Sequence, residues 1–109
     1  MPTMTDARSA CLEACQQCIT DCEACLAAMM TKASDNDCPA CCYECVKICH
    51  ACVSAVAAKS RFTGEYCTLC AEICHYCADQ CQEHDLEHCQ KCAESCLRCA
   101  DACTAMATS

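Results

Sequence analysis

The sequence predicts an all-α fold, an antiparallel up-down-up-down four-helix bundle whose core is lined by cysteine. Three observations carry that expectation. Cysteines recur at alternating spacings of three and four residues, the step of the buried stripe of a bundled helix. The stripe appears four times, with only short connections between, as in an up-down bundle. No stretch alternates apolar and polar residues at period two, so no strand is expected.

The first stripe is Cys11, Cys15, Cys18, Cys22 and Cys25. The second is Cys38, Cys42, Cys45, Cys49 and Cys52, with Cys41 one position off the seam. The third is Cys67, Cys70, Cys74, Cys77 and Cys81, and the fourth Cys89, Cys92, Cys96, Cys99 and Cys103. Together they hold all 21 cysteines, so the chain is an internal repeat with one helix per unit. A few buried thiols would carry no message, because free cysteine behaves as a small hydrophobe. Twenty of 21 on one seam per helix do carry one.

The first helix is expected over about residues 5–30, capped by Thr3 or Thr5, with Asp6 at the positive end of the helix dipole. The second spans about 38–59. Asp37 suits its cap, and Pro39 is tolerated in a first turn, where its missing N–H has no helical partner. A short connection, residues 60–63, leads to Gly64, the only glycine. The third helix spans about 65–82, and Asp85 suits the cap of the fourth, about 86–107. The 109 residues make one domain, residues 1–109. Leu12, Ile19 and Leu26, and likewise Val46 and Val53, follow the stripe at seven-residue intervals and widen each apolar face.

Up-down topology sorts the ends. Met4, Val56, Phe62 and Met106 fall at one end. Met29, Met30, Cys38, Cys41, His84, Asp85 and His88 fall at the other. Extending the stripes by one step places Met29 and His84 on the seam. That end offers soft, exchangeable ligands and is the expected mouth, unless these residues simply close the bundle. His50 and His75 each follow a seam cysteine and should point outward.

A net charge of -8 and a pI near 4.7 argue against nucleic acid or an anionic membrane as partner. Leu, Ile, Val, Phe and Met number only 17, a thin core that bound metal would stabilise. The stretch Met1-Pro2-Thr3-Met4-Thr5-Asp6 has neither a basic n-region nor an apolar h-region, and no unbroken run of 18 apolar residues occurs. The expected location is therefore the cytoplasm, where thiols stay reduced.

Disulfides fit this pattern poorly. Residues three or four apart on a helix hold their Cβ atoms about 5–6 Å apart, whereas a disulfide wants about 3.8 Å. Metal fits better, since thiolates are soft ligands for Cu(I), zinc and iron–sulfur clusters. A zinc ion in four thiolates leaves a buried charge of about -2, which several sites would multiply at high cost. A Cu(I) ion takes two or three thiolates. With bridging thiolates the ratio nears one ion per cysteine in a nearly neutral core, on the order of 20 ions per chain. The iron–sulfur spacing of ferredoxins is absent, as are Cys-x-Cys pairs and any βαβ context for a redox Cys-x-x-Cys.

Four helices, each with an inward Cys-x2-Cys-x3-Cys repeat from Cys11 to Cys103, resemble the bacterial copper storage proteins, in particular the cytosolic branch of that family. The resemblance implies a store of many Cu(I) ions in the bundle, access at one end helped by His and Met, and a homotetramer. It matches the seam cysteines to the family's core thiols. It offers His84, His88 and Met29 as candidates for the mouth, and leaves Cys41 beside the seam. A copper chaperone would need one exposed Cys-x-x-Cys, and nine such pairs are too many. An enzyme, whether thiol oxidoreductase or electron carrier, is disfavoured: no one cysteine is singled out from the others by an adjacent Lys or Arg that would depress its pKa. Zinc buffering and iron–sulfur redox chemistry are the alternatives.

Overall fold

The computed structural model describes the backbone of residues 4–108 and the side chains from Asp6 to Thr108. Four helices form: α1 (Met4–Met29), α2 (Ala40–Ala57), α3 (Thr63–Gln82) and α4 (Glu87–Ala107). No strand occurs among the described residues. The helices pack in a ring, α1 against α2 and α4, and α3 against α2 and α4. Cys11 at the start of α1 meets Cys103 at the end of α4, and Cys52 at the end of α2 meets Cys67 at the start of α3. Neighbouring helices are therefore antiparallel. The long axis of 42 Å is set by α1, whose 26 residues rise about 1.5 Å each.

The core is almost wholly sulfur. Alanine fills the close approaches between helices, and Leu12, Ile19, Leu26, Val46 and Val53 pack half-buried against the thiols, as their seven-residue spacing predicts. By length and composition α2 could cross a membrane. Its apolarity comes from cysteines, and these face the bundle core.

The helix ends depart from the sequence reading. The expected cap Thr3 lies outside the described residues, as does the side chain of Met4, while Thr5 is inside α1. The second helix starts at Ala40, after a cis Cys38–Pro39 bond. Asp37 does not cap it with its carboxylate, which instead accepts the Tyr76 hydroxyl at 2.9 Å. The Asp37 carbonyl accepts the Cys41 N–H at 2.8 Å. The fourth helix starts after Leu86 with no side-chain cap, so Asp85 does not cap it.

The end of α2 closes without glycine. Lys59 takes the left-handed conformation, φ 55°, and the Ser60 N–H reaches back to the Ala55 carbonyl at 2.9 Å. This is the six-to-one bond of a Schellman motif. Gly64, expected before the third helix, lies instead within the first turn of α3.

Candidate metal centre

Each helix buries one residue on alternate steps of three and four, because only that face is turned to the axis of the bundle. Cysteine holds that position throughout. All 21 cysteines are free thiols; twenty are fully buried, and Cys41 is 2% exposed. The seam thiols meet in layers across the four helices. Cys11, Cys52, Cys67 and Cys103 form one, and Cys15, Cys49, Cys70 and Cys99 the next. In the middle layer Cys18 lies 3.6 Å from Cys45 and 3.8 Å from Cys96, and Cys45 lies 3.4 Å from Cys74. Cys22 then meets Cys92 at 3.4 Å, Cys92 meets Cys42 at 3.7 Å, and Cys42 meets Cys77 at 3.9 Å. The last layer holds Cys25, Cys38, Cys81 and Cys89, with Cys25 3.7 Å from Cys89 and Cys81 3.7 Å from Cys38.

The layers are not separate sites. Cys15 and Cys70 also group with Cys52 and Cys103, and Cys18 and Cys45 belong to two quartets, one with Cys49 and Cys74 and one with Cys22 and Cys96. In each quartet the sulfurs lie within 4.8 Å of one another. Quartets that share edges are what bridging thiolates need. Size alone does not choose the metal, since a zinc ion with Zn–S near 2.3 Å has sulfur–sulfur edges of about 3.8 Å. Charge does choose. Five closed zinc quartets would bury about ten negative charges, at a desolvation cost the surrounding alanine cannot offset. Monovalent ions bridged by shared thiolates leave the core near neutral.

The thiols perturb one another. Burial is the largest influence on Cys38 and pushes its thiol up to about 11, and burial likewise raises Cys89. Sulfhydryl hydrogen bonds, first from Cys42 and then Cys81, pull Cys25 down to about 6. Cys103 is the leading influence that lowers Cys99 to about 7. A thiolate formed in such a cluster is solvated by neighbouring S–H donors in place of water.

Both ends are closed, in different ways. At one, Val56 and Met106 are buried, while Phe62 is 53% exposed. At the other, the loop from 30 to 39 folds over the thiols and is tied to the end of α3. Asn36 is its hub. Its Nδ2 donates to the Gln80 carbonyl at 2.9 Å and to Glu83 at 3.0 Å, and its Oδ1 accepts the Cys38 N–H at 3.0 Å. The His84 ring Nε2 lies 2.9 Å from Asn36 Oδ1 and 3.1 Å from Ser34 Oγ. His84 thus serves as part of a closed loop. Met29 is 2% exposed and Met30 76%. His88 is half-buried, with Nδ1 3.5 Å from Cys89 Sγ and a buried Nε2 that has no partner among the described residues. Of the expected mouth residues, His88 alone touches the core thiols through its ring. His50 and His75 are exposed, as expected.

Sequence reading missed two groups. Asn36 looked like one polar loop residue among several. Asp21 is 5% exposed between α1 and α4, where its Oδ2 accepts the Ser95 hydroxyl and, at 3.0 Å, the Gln17 amide. Its Oδ1 lies 3.7 Å from Lys91 Nζ. A signal existed: Ala7, Ala14, Asp21 and Ala28 recur every seven residues, and the aspartate breaks an alanine row.

A helical bundle that fills its own axis with layered free thiols has the ligand set of a protein that holds many soft metal ions. The copper storage protein family matches residues 4–108, and the chain belongs to that family. The fold is similar to the Cu(I)-bound copper storage protein BsCsp3, with 38% identity, a TM-score of 0.88, and 93% of this chain and 98% of that one covered. Apo Csp3 from Bacillus subtilis is 40% identical, with a TM-score of 0.86 over 91% of this chain and 97% of that one. A cytosolic copper storage protein from Streptomyces lividans, in a structure with five coppers, is 28% identical, with a TM-score of 0.88 over 97% of this chain and 96% of that one. Among curated protein sequences none matches.

Proposed function

We propose that this protein stores Cu(I) in the cytoplasm and so also keeps the ion from doing damage there. It does so as a single four-helix-bundle domain with no enzymatic activity. The observation that carries the reading is the set of edge-sharing thiol quartets sealed along the whole bundle axis. Family membership supports storage over catalysis. The ligands in this reading are the seam thiols from Cys11 to Cys103 together with Cys41, with Met29, His84 and His88 as the candidates at one end, where His88 Nδ1 lies 3.5 Å from Cys89 Sγ. Each ion that binds displaces a thiol proton, and bridging brings the load to on the order of 20 ions per chain.

The test is an anaerobic titration of the reduced protein with Cu(I) against a chromophoric chelator, followed by native mass spectrometry. Tight uptake near 20 ions is expected on the charge balance. Saturation at one to four ions would overturn the storage reading and favour a chaperone or a zinc site.

The assembly we propose is a homotetramer, as the family resemblance implies. Phe62 and Tyr66, 53% and 38% exposed at the start of α3, supply apolar surface for it. Phe62→Asp should shift the assembly toward smaller species in light scattering. An unchanged mass would place the contact elsewhere, and a monomeric parent protein would end the proposal.

A further inference from the structure

A seam made only of cysteine has no register of its own. Sliding α1 along its neighbours by one seam step, about 5 Å, sets thiol against thiol again. A slide of a full heptad also carries the row Leu12, Ile19 and Leu26 onto itself. Short connections fix the other helices: residues 58–62 join α2 to α3, and residues 83–86 join α3 to α4. The longer stretch 30–39 joins α1 to α2, and no connection joins α1 to α4. At that unconnected interface lie Asp21 and Ser95, the two buried polar side chains among the described residues, bonded to each other. Gln17 Nε2 donates to the same carboxylate oxygen at 3.0 Å, and Lys91 Nζ lies 3.7 Å from the other. Each of the four stands one position before a thiol: Gln17 before Cys18, Asp21 before Cys22, Lys91 before Cys92 and Ser95 before Cys96. Those thiols meet across the two helices, Cys22 with Cys92 at 3.4 Å, Cys22 with Cys96 at 3.7 Å and Cys18 with Cys96 at 3.8 Å. One heptad along, the positions of Asp21 and Ser95 are taken by Ala14 and Ala102, which line one cleft between α1 and α4.

We propose that Asp21 is a positioning residue: its bond to Ser95 selects one register of α1 against α4, and with it which thiols share each copper-binding quartet. The reason lies in what the wrong register does to a buried charge. When α1 is withdrawn by one heptad, the Asp21 carboxylate stands opposite Ala102, buried without its hydroxyl donor and away from Lys91. The same slide carries Cys11 and Cys15 beyond Cys103, the last thiol of α4. An alanine at position 21 would accept either register, as the rest of its row does. A single buried polar residue fixes the register of coiled coils in this way, at a cost in stability. The consequence for copper rests on the storage reading above; the register itself does not.

The experiment uses the full-length reduced protein. Asp21→Ala combined with Ser95→Ala makes this position the equal of Ala14 and Ala102, and removing both partners together leaves no unpaired group. Helicity and melting midpoint should stay near those of the parent. Amide NMR spectra of the metal-free protein should show one set of signals for α1 in the parent and two or more in the alanine pair. Loaded with Cu(I), the alanine pair should saturate in native mass spectrometry as a spread of species, reaching about two ions below the parent, one for each stranded α1 thiol. Asp21→Ser combined with Ser95→Asp carries the carboxylate across to α4 and should restore both the single set of signals and the parent's copper count. Split signals in the parent or in the exchanged pair, or a single set in the alanine pair, would overturn the register role. So would an alanine pair that fails to fold, since Asp21 and Ser95 would then support the fold and not choose between registers. An unchanged copper count beside split signals would overturn the part of Asp21 in the copper sites. If the parent itself takes up few ions, the storage reading fails instead, and the metal-free spectra still decide the register.

Discussion

At the residue scale, a seam thiol contributes a ligand and little packing. Cys74 is fully buried in the middle layer, 3.4 Å from Cys45. Cys74→Ala should lower capacity by about one ion and leave helicity unchanged, because neighbouring thiols can re-bridge. Native mass spectrometry and circular dichroism check both halves. Protonation matters equally. The Cys38 thiol sits at about 11 in the folded protein against an ordinary value of 9.0. A raised value means that the folded state holds this proton more tightly than the unfolded chain does. Its contribution is full below pH 9 and is lost as pH rises through about 9 to 11. Thermal melts of the apo protein should therefore fall over that alkaline range. Copper-loaded protein, whose thiol protons are already gone, should not show the same fall.

At the scale of elements, the four helices are held less by caps than by the contacts between their ends. No side-chain cap bond forms on α2, α3 or α4. The loop after α1 takes on that work through Asn36, which joins Cys38, Gln80, Glu83 and His84. Asn36→Ala should destabilise the apo fold by roughly 2–3 kcal/mol, since each hydrogen bond contributes about 1 kcal/mol. It should also speed copper release to a competing chelator, by loosening the cover over Cys25, Cys38, Cys81 and Cys89. Unchanged release with lowered stability would confine the loop to a structural role. The buried Asp21–Ser95 contact ties α1 to α4 in the same manner. Asp21→Ala leaves the Ser95 hydroxyl without its partner, a change of about 1–3 kcal/mol in chemical melts.

Across the whole molecule, stability and function are one linkage. The apo core contains few large aliphatic side chains, and its thiols give little packing energy each. Ions that bind the folded state alone stabilise it by mass action. The melting temperature should climb with each increment of Cu(I), and stripping the metal with a strong chelator should return it to the apo value. A melting temperature that stays flat while copper binds would mean that the ions sit outside the core.

The fold and most of the candidate site were legible in the sequence because one periodicity encodes both. A cysteine every three and four residues specifies a helix, its buried face and the ligand set at once. Four repeats with short links then leave antiparallel packing as the economical topology. The helix starts were less legible. Asp37 and Asp85 resemble caps locally, but the carboxylate of Asp37 is drawn to Tyr76, 39 positions away. Likewise the left-handed residue after α2 is Lys59, a position that no local signal marks. His84 and His88 look equivalent as a string. Only the folded loop separates them, tying one imidazole to Asn36 and setting the other against Cys89. The sequence by itself determined the helices, the thiol stripe and, through charge balance, the monovalent ion. The tertiary structure alone decided how quartets share edges and how each end of the bundle is closed. These depend on distances between residues far apart in the chain, which no local spacing records.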